Sequence, residues 1–160
     1  MSLSNKELIL DVMREQGKTD ALSLRGRAAN MTGTEVIAEE GKVPLFESGK
    51  DYSGWAVGAP VGEIVDGEIQ IYKWITPVNT ANYPGMLPSN SPALLSPCHT
   101  TDQAKAKPWL APNGTSGLYA VDEVCSYNGH IWRNLCENNE YPPETQNVED
   151  RWEDLGEITE

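Results

Sequence analysis

The chain has 160 residues, which suits one compact domain or two very small ones, and its 39% hydrophobic content with five Trp and six Tyr is typical of a folded protein. Its formal net charge of −12 argues against nucleic acid, anionic wall polymers and anionic membranes as main partners, because like charges repel. With no apolar run near the roughly 20 residues of a spanning helix and no signal-peptide pattern, we expect neither membrane insertion nor secretion.

The N-terminus predicts a short amphipathic helix. Ser4 to Glu7 form a capping-box pattern, in which Ser4 accepts from first-turn amides and Glu7 reaches back. An apolar stripe follows, and Gly17 is a typical C-terminal stop. The stripe consists of Leu8, Ile9, Val12 and Met13. Since so short a helix is marginal alone, its apolar face must pack on the same chain or on a neighbouring subunit.

The next segment predicts two more short helical pieces. One would run from Asp20 to Asn30 with an interruption at Gly26, and in the other Thr34 would cap a turn of helix that ends at Gly41. The basic Arg25-Gly26-Arg27 lies in an acidic chain, so we interpret it as a local ion-pair partner for nearby carboxylates rather than as a ligand site.

From Gly54 onward the chain repeats the order of its features, at an offset that drifts from 63 to 58 positions. This favours two modules in tandem, each too small for a comfortable core alone, so that they should pack on each other or on the N-terminal helices. We therefore divide the chain into a helical segment (1–50), a degenerate β repeat (51–104) and a second β domain (105–160). The matched pairs are Gly54 and Gly117, Val61 and Val124, Asp66-Gly67 and Asn128-Gly129, Ile71-Tyr72-Lys73 and Ile131-Trp132-Arg133, Tyr83-Pro84 and Tyr141-Pro142, and Leu94 and Trp152.

A tight hairpin is the strongest local prediction in the second module. Asn128-Gly129 supplies the two positive φ angles that a two-residue turn needs, and β-prone residues flank it. If these are the central turn residues, opposed residues share a face of the ribbon. The predicted opposed pairs are Tyr127 with His130, Ser126 with Ile131, and Cys125 with Trp132.

The order of features from Trp109 to Gly156 resembles the chitin-binding type 3 modules of carbohydrate-binding module families 5 and 12. The residues that carry this resemblance are Trp109, Tyr119, Val121-Asp122-Glu123-Val124, Tyr127-Asn128-Gly129, Trp132, Pro142-Pro143, Trp152 and Gly156. The family implies small three-stranded sheets, found in glycoside hydrolases and in phage or prophage structural proteins. Its Ala-x-Trp-Trp platform falls here on Asn134-Leu135-Cys136-Glu137. The run from Met31 to Val61 also resembles the leader of small prophage-encoded structural proteins.

The sequence predicts no enzyme, no metal site and no cofactor. Only His99 and His130 are present, and neither has metal-ligand spacing with another His or a Cys pair. Phosphate-binding loops and nucleophile elbows are missing from the sequence, and the acid pairs are those expected of a chain with 24 acidic residues. Cys98, Cys125 and Cys136 cannot all pair within the chain, and we expect all three to be reduced, as in a protein kept in a cytosol.

Sugar binding requires exposed aromatic rings for stacking and polar side chains for the hydroxyl groups. Aromatic residues in so small a module are commonly part of the core, so each aromatic candidate can instead be a core residue. The predicted carbohydrate-binding residues are Trp132, Tyr141, Trp109, Tyr119, Asn138, Asn139 and Trp74.

We therefore expect a mainly β protein: two small antiparallel three-stranded modules in tandem, preceded by a short α-helical segment. We expect a non-catalytic structural or adhesion component, associated with a phage or prophage tail, that binds a polysaccharide. The negative charge of the chain favours a neutral glycan over an anionic polymer. The alternative is an assembly or protein-interaction module that reuses the fold without sugar binding. Besides the polysaccharide, we expect other phage structural proteins or a second copy of the chain as partners. The expected location is the virion, or the bacterial cytoplasm before assembly.

Overall fold

The structure, a computed structural model, describes the backbone of residues 5–158 and the side chains of residues 15–158. It contains two β-sheets, of three and four strands, behind an N-terminal helix. The helices are α1 (Asn5–Arg27) and α2 (Gly33–Ala38), and the strands are β1 (Pro60–Val65), β2 (Glu68–Trp74), β3 (Leu95–Pro97), β4 (Lys107–Pro108), β5 (Val124–Tyr127), β6 (His130–Asn134) and β7 (Trp152–Glu157). In the described part of the chain no helix combines the length and the apolar character needed to cross a membrane.

Helix α1 is longer than predicted. It continues through Gly17 and Gly26, so the predicted stop and interruption are wrong. A glycine inside a helix costs only about 1 kcal/mol relative to alanine, and the C-terminal end of α1 is held by Leu24, which is fully buried in a core with Ala28 and Ile71. The predicted cap at Ser4 and the side chains of the apolar stripe lie outside the described residues.

The N-cap of helix α2 lies two residues before the predicted one. Thr32, not Thr34, closes a capping box with Glu35. The Thr34 hydroxyl instead accepts a hydrogen bond of 2.9 Å from the Thr101 amide, 67 residues away. The side chain therefore ties α2 to the segment that joins the two sheets.

The first sheet is an antiparallel β1-β2-β3 arrangement with a core on each face. Its hairpin turns at Asp66 and Gly67, with φ of 52° and 82°. One face carries Ile71 and packs against the helices, and the other carries Tyr72 and Trp74 and packs against the segment before β1. The residues of this second core include Tyr52, Ala59, Val61, Met86 and Leu95.

The second sheet has four strands in the order β4-β5-β6-β7 and is mixed, because β4 pairs with β5 in parallel. The prediction of a purely antiparallel three-stranded module is therefore wrong here. The predicted hairpin is confirmed: the φ angles at Asn128 and Gly129 are 50° and 78°. All three predicted opposed pairs are present, Tyr127 with His130, Ser126 with Ile131, and Cys125 with Trp132.

The helical segment is fastened to the junction between the sheets. Glu40 forms ion pairs with Lys105, at 3.4 Å, and with Lys107 at the start of β4. Gly33 at the start of α2 lies against the His99 backbone, where a Cβ atom would come within 2.3 Å of the carbonyl oxygen. No side chain larger than hydrogen fits at this contact without a shift of the backbone.

The two arginines predicted as ion-pair partners behave differently. Arg27 forms a two-pronged ion pair with Glu39, with distances of 2.7 and 2.8 Å, as predicted. Arg25 instead lies over the Trp55 ring, with its guanidinium carbon 3.5 Å from the ring centroid. Both contacts join the end of α1 to the rest of the chain.

All three cysteines are free, in agreement with the prediction. Cys98 and Cys125 are buried, and burial raises the pKa of each thiol to about 12. Both thiols therefore stay protonated and act as small core side chains. Cys136 is half-buried.

Candidate functional site

Two buried asparagines position the loop that follows β6. The Asn134 amide donates to the backbone oxygens of Tyr119 and Ala120, at 3.0 and 2.8 Å. The Asn134 side-chain oxygen accepts from Asn139 at 2.8 Å, and the Asn139 oxygen accepts from the Tyr141 amide at 3.0 Å. Because buried amides with all these partners fix backbone geometry, the loop between Asn134 and Tyr141 has a defined path.

Tyr141 is held from a second side by the start of β7. The Trp152 indole N–H donates to the Tyr141 carbonyl at 2.8 Å. The neighbouring Arg151 guanidinium lies 5.1 Å from the Tyr141 ring centroid, within cation–π distance. The Tyr141 ring is half-buried. It is therefore an aromatic side chain with a fixed backbone at the protein surface.

An open groove of about 640 Å³ is lined in part by Arg151, the residue whose guanidinium lies over the Tyr141 ring. We call it the Leu135 groove, because Leu135, 44% exposed, is its most exposed large apolar side chain. Carboxylate, amide and guanidinium groups surround this apolar surface. The lining residues are Leu135, Cys136, Glu137, Asn147, Val148, Asp150 and Arg151. The lining of this open groove offers both hydrogen-bond donors and acceptors.

The structure buries most of the predicted carbohydrate-binding residues. Those in the cores are Trp74 at 1% exposure, Tyr119 at 2%, Trp132 at 9% and Asn139 at 0%. In this conformation their side chains cannot meet a ligand on the surface. Trp109 is half-buried and packs edge-to-face with Tyr127, with ring centroids 6.4 Å apart. Only Tyr141 and the exposed Asn138, which has a φ of 53°, remain at the surface in the loop next to the Leu135 groove.

Sequence reasoning missed the far wall of the groove. Asn147, Asp150 and Arg151 belong to the segment before β7, which is far from Leu135 in the chain. A signal was present, since the run from Gln146 to Arg151 is almost wholly polar and directly precedes the closing Trp152. Asn147 also has a positive φ of 72°, which asparagine tolerates in turns.

A second cleft, of about 460 Å³, is lined by residues of β5, β6 and β7 and by Glu68 of the first sheet. Its floor contains Ser126, Ile131 and Leu155, and its described lining includes two glutamates but neither an aromatic ring nor a cation. A sugar ring would therefore find no aromatic side chain to stack on in this cleft. The Leu135 groove, next to Tyr141, is therefore the better candidate site for a sugar.

Neither a scan against protein-family models nor a search of curated proteins gave a match to the sequence. Within the described residues, His, Cys, Asp and Glu nowhere form a group of three or more that could hold a metal ion. The site must accordingly be judged on its own geometry.

Proposed function

We propose that the chain is a non-catalytic carbohydrate-binding protein, a tail-associated structural or adhesion component of a phage or prophage, and that the Leu135 groove with Tyr141 is its sugar-binding surface. The observation that carries the proposal is the open groove at the position where the resembled family has its aromatic platform. Two kinds of group needed for a sugar meet there: apolar surface from Leu135, and hydrogen-bonding groups from residues such as Asn147 and Asp150. The Tyr141 ring adjoins the groove through its contact with Arg151.

Charge favours a neutral glycan. The chain carries a net charge of −12, and the groove itself holds Glu137 and Asp150 against one cation, Arg151. An anionic polymer would be repelled by both the local and the overall charge. The hydroxyl groups of a neutral sugar can instead donate to the carboxylates and accept from the guanidinium.

The strand order supports the proposal that the two sheets descend from one module. In each sheet a two-residue turn with positive φ at both positions joins two strands, at Asp66-Gly67 and at Asn128-Gly129. A third antiparallel strand then pairs with the second one, as β3 pairs with β2 and β7 pairs with β6. In this proposal β4 is an addition to the second copy, and the first copy is the degenerate one.

A glycan array and pull-downs on chitin and on bacterial walls test the function. Tyr141→Ala should reduce retention on the positive glycan about tenfold, whereas Tyr83→Ala should leave it unchanged. Tyr83 is the matched control because it is 47% exposed and lies in the first module. Blank arrays and pull-downs at high protein concentration would rule out carbohydrate binding.

A gain-of-function variant tests the location of the site. Leu135→Trp restores an aromatic side chain at the position of the missing platform, and Leu135 is exposed enough to accept it. We expect tighter binding, because a flat ring offers more stacking area to a pyranose than a leucine does. A glycan that binds the wild type, with unchanged affinity for both Leu135→Trp and Tyr141→Ala, would place the site elsewhere.

The alternative function, an assembly or protein-interaction module, is favoured by a different surface. Leu45 and Ile64 flank the outer edge of the first sheet and are 50% and 56% exposed. Exposed apolar side chains at a sheet edge are typical of contacts with another protein. Light scattering that gives a strict monomer, with no virion protein captured, would contradict this alternative.

A further inference from the structure

The cleft of about 460 Å³ that is lined largely by the second sheet combines apolar surface with negative charge. We call it the Glu68 cleft. Ile131, Leu155 and Ile158 supply its larger apolar side chains, and Ile158 is 48% exposed. Its charged side chains, within the described lining, are Glu68 and Glu157, and both are exposed. A ligand that complements this cleft must therefore offer apolar surface and positive charge together.

The lysines next to the cleft are paired elsewhere. Ala104 and Ala106 line the cleft. Lys105 and Lys107, which alternate with them in the sequence, form ion pairs with Glu40 instead. Among the residues that the structure describes, neither glutamate of the cleft has an ion-pair partner. The negative charge of the cleft is therefore available to a cation from another molecule.

Lysine and arginine side chains have the required combination of properties. Each packs its aliphatic stem along apolar surface while its charged head group stays in water. In the Glu68 cleft the stem can lie on Leu155 and Ile158, and the head group can pair with a glutamate. A neutral sugar lacks the positive charge, and an anionic group would be repelled by both glutamates and by the net charge of −12.

The backbone of the outer strand is also part of the cleft. The four consecutive residues 155–158 line it, and alternate side chains of a strand point to opposite faces, so the wall includes the backbone of β7. Strand β7 is the last in the order of the second sheet and pairs with β6. An outer strand can hydrogen-bond to an extended peptide. A peptide that carries the cation therefore fits this cleft better than a free amine does.

We propose that the Glu68 cleft binds an extended, lysine- or arginine-bearing segment of another protein. The aliphatic stems of the segment contact Leu155 and Ile158, and its cations pair with Glu68 and Glu157. The described linings of this cleft and of the Leu135 groove share no residue, so the inference does not rest on sugar binding. It assigns a partner to a surface that the proposed function does not use.

Three five-residue peptides, blocked at both ends, test the chemistry of the partner. The first is Lys-Ala-Lys-Ala-Lys, the second is the same peptide with acetylated lysines, and the third has glutamate in place of lysine. In NMR titrations of the full chain, the lysine peptide should cause saturable shifts in the amide signals of Ser126, Ile131 and Leu155. The acetylated peptide keeps the stems but loses the charge, so it should bind about tenfold more weakly.

The acidic peptide should cause no saturable shift, because the glutamates repel it. Absence of saturable binding by the lysine peptide would overturn the proposal. Equal binding of the lysine and acetylated peptides would also overturn it, because the carboxylates would then have no part in recognition.

Charge variants test the location of the site. Glu68→Gln and Glu157→Gln should each weaken binding of the lysine peptide about threefold, because an ion pair at the surface makes a modest contribution. Glu15→Gln is the matched control: it removes the same charge from an exposed side chain of α1, which lies outside the described lining of the cleft. Its affinity should equal that of the wild type. If Glu15→Gln weakens binding as much as the two cleft variants do, the peptide responds to net charge alone and the proposal fails.

The apolar contact needs a variant of its own. Ile158 is exposed and belongs to none of the cores, so Ile158→Ser should keep the amide spectrum of a folded protein. It should weaken binding of the lysine peptide about threefold, because the stems lose apolar surface to pack on. An unchanged affinity would contradict the assigned contact between the stems and the cleft.

Discussion

Acid should destabilise this protein through His99. The ring is 9% exposed and stacks on Tyr119, with centroids 3.8 Å apart and an angle of 11° between the planes. Nε2–H donates to the Gly117 carbonyl at 2.8 Å, so the proton that charges the ring must bind at Nδ1. Burial of the ring lowers the pKa of His99 from 6.5 to about 4.

The direction of the pH effect follows from this lowered pKa. Between pH 6.5 and pH 4 the unfolded chain binds a proton that the folded protein does not. The contribution of His99 to stability is therefore complete above pH 6.5 and falls as the pH falls towards 4. At about 1.4 kcal/mol per pH unit, the free energy of unfolding should drop by about 2 kcal/mol at about pH 5 and by about 3 kcal/mol at about pH 4.

Urea unfolding of the wild type and of His99→Gln, at about pH 7.5 and about pH 5, measures this effect. Glutamine keeps an N–H that can donate to Gly117 but does not titrate. The difference in unfolding free energy between the two proteins should change by about 2 kcal/mol in favour of the variant as the pH falls. A difference that is the same at both pH values would refute the assignment of the acid sensitivity to His99.

Three further predictions concern single residues. His130→Gln should show the opposite pH dependence, because the 2.9 Å contact with Asp154 raises the pKa of His130. The stabilising effect of His130 is therefore present below pH 6.5 and is lost as the pH rises through the raised pKa. Urea unfolding of both proteins at about pH 5.5 and about pH 8 measures this loss. Gly17→Ala should raise the free energy of unfolding by about 0.5–1 kcal/mol and increase the helical circular dichroism signal, since the site is exposed and nothing lies within 4 Å of the new Cβ; an unchanged value would contradict this. Gly58→Ala should lower the melting temperature and cost about 1–3 kcal/mol, because Gly58 has a φ of +88° and its Cβ would lie 2.6 Å from the Ala29 backbone; a variant as stable as the wild type would show that the contact relaxes freely.

The sequence was most informative where structure is local. Asn128-Gly129 predicts both the turn and the strand register, because two adjacent residues with positive φ leave the flanking strands one way to pair. The sequence did not predict where the groove lies. Its walls come from residues near Leu135 and near Arg151, which only the pairing of β6 with β7 brings together.

The aromatic candidates show the same division. Trp132, Tyr119 and Tyr141 are equivalent as sequence features, yet the first two are core and the third is at the surface. Exposure is decided by how the loop after β6 folds back, and that path depends on the buried Asn134 and Asn139 side chains. No local pattern distinguishes a buried asparagine from a surface one.

The sequence by itself determined the acidic surface, the two hairpin turns and the register of the second hairpin. The tertiary structure decided the length of α1, the parallel strand β4 and which rings are exposed. The first set depends on charge and on the φ angles of neighbouring residues. The second set depends on contacts between distant segments. In α1, for example, the free energy gained by burying Leu24 beside Ile71 outweighs the local preference of a glycine to end a helix.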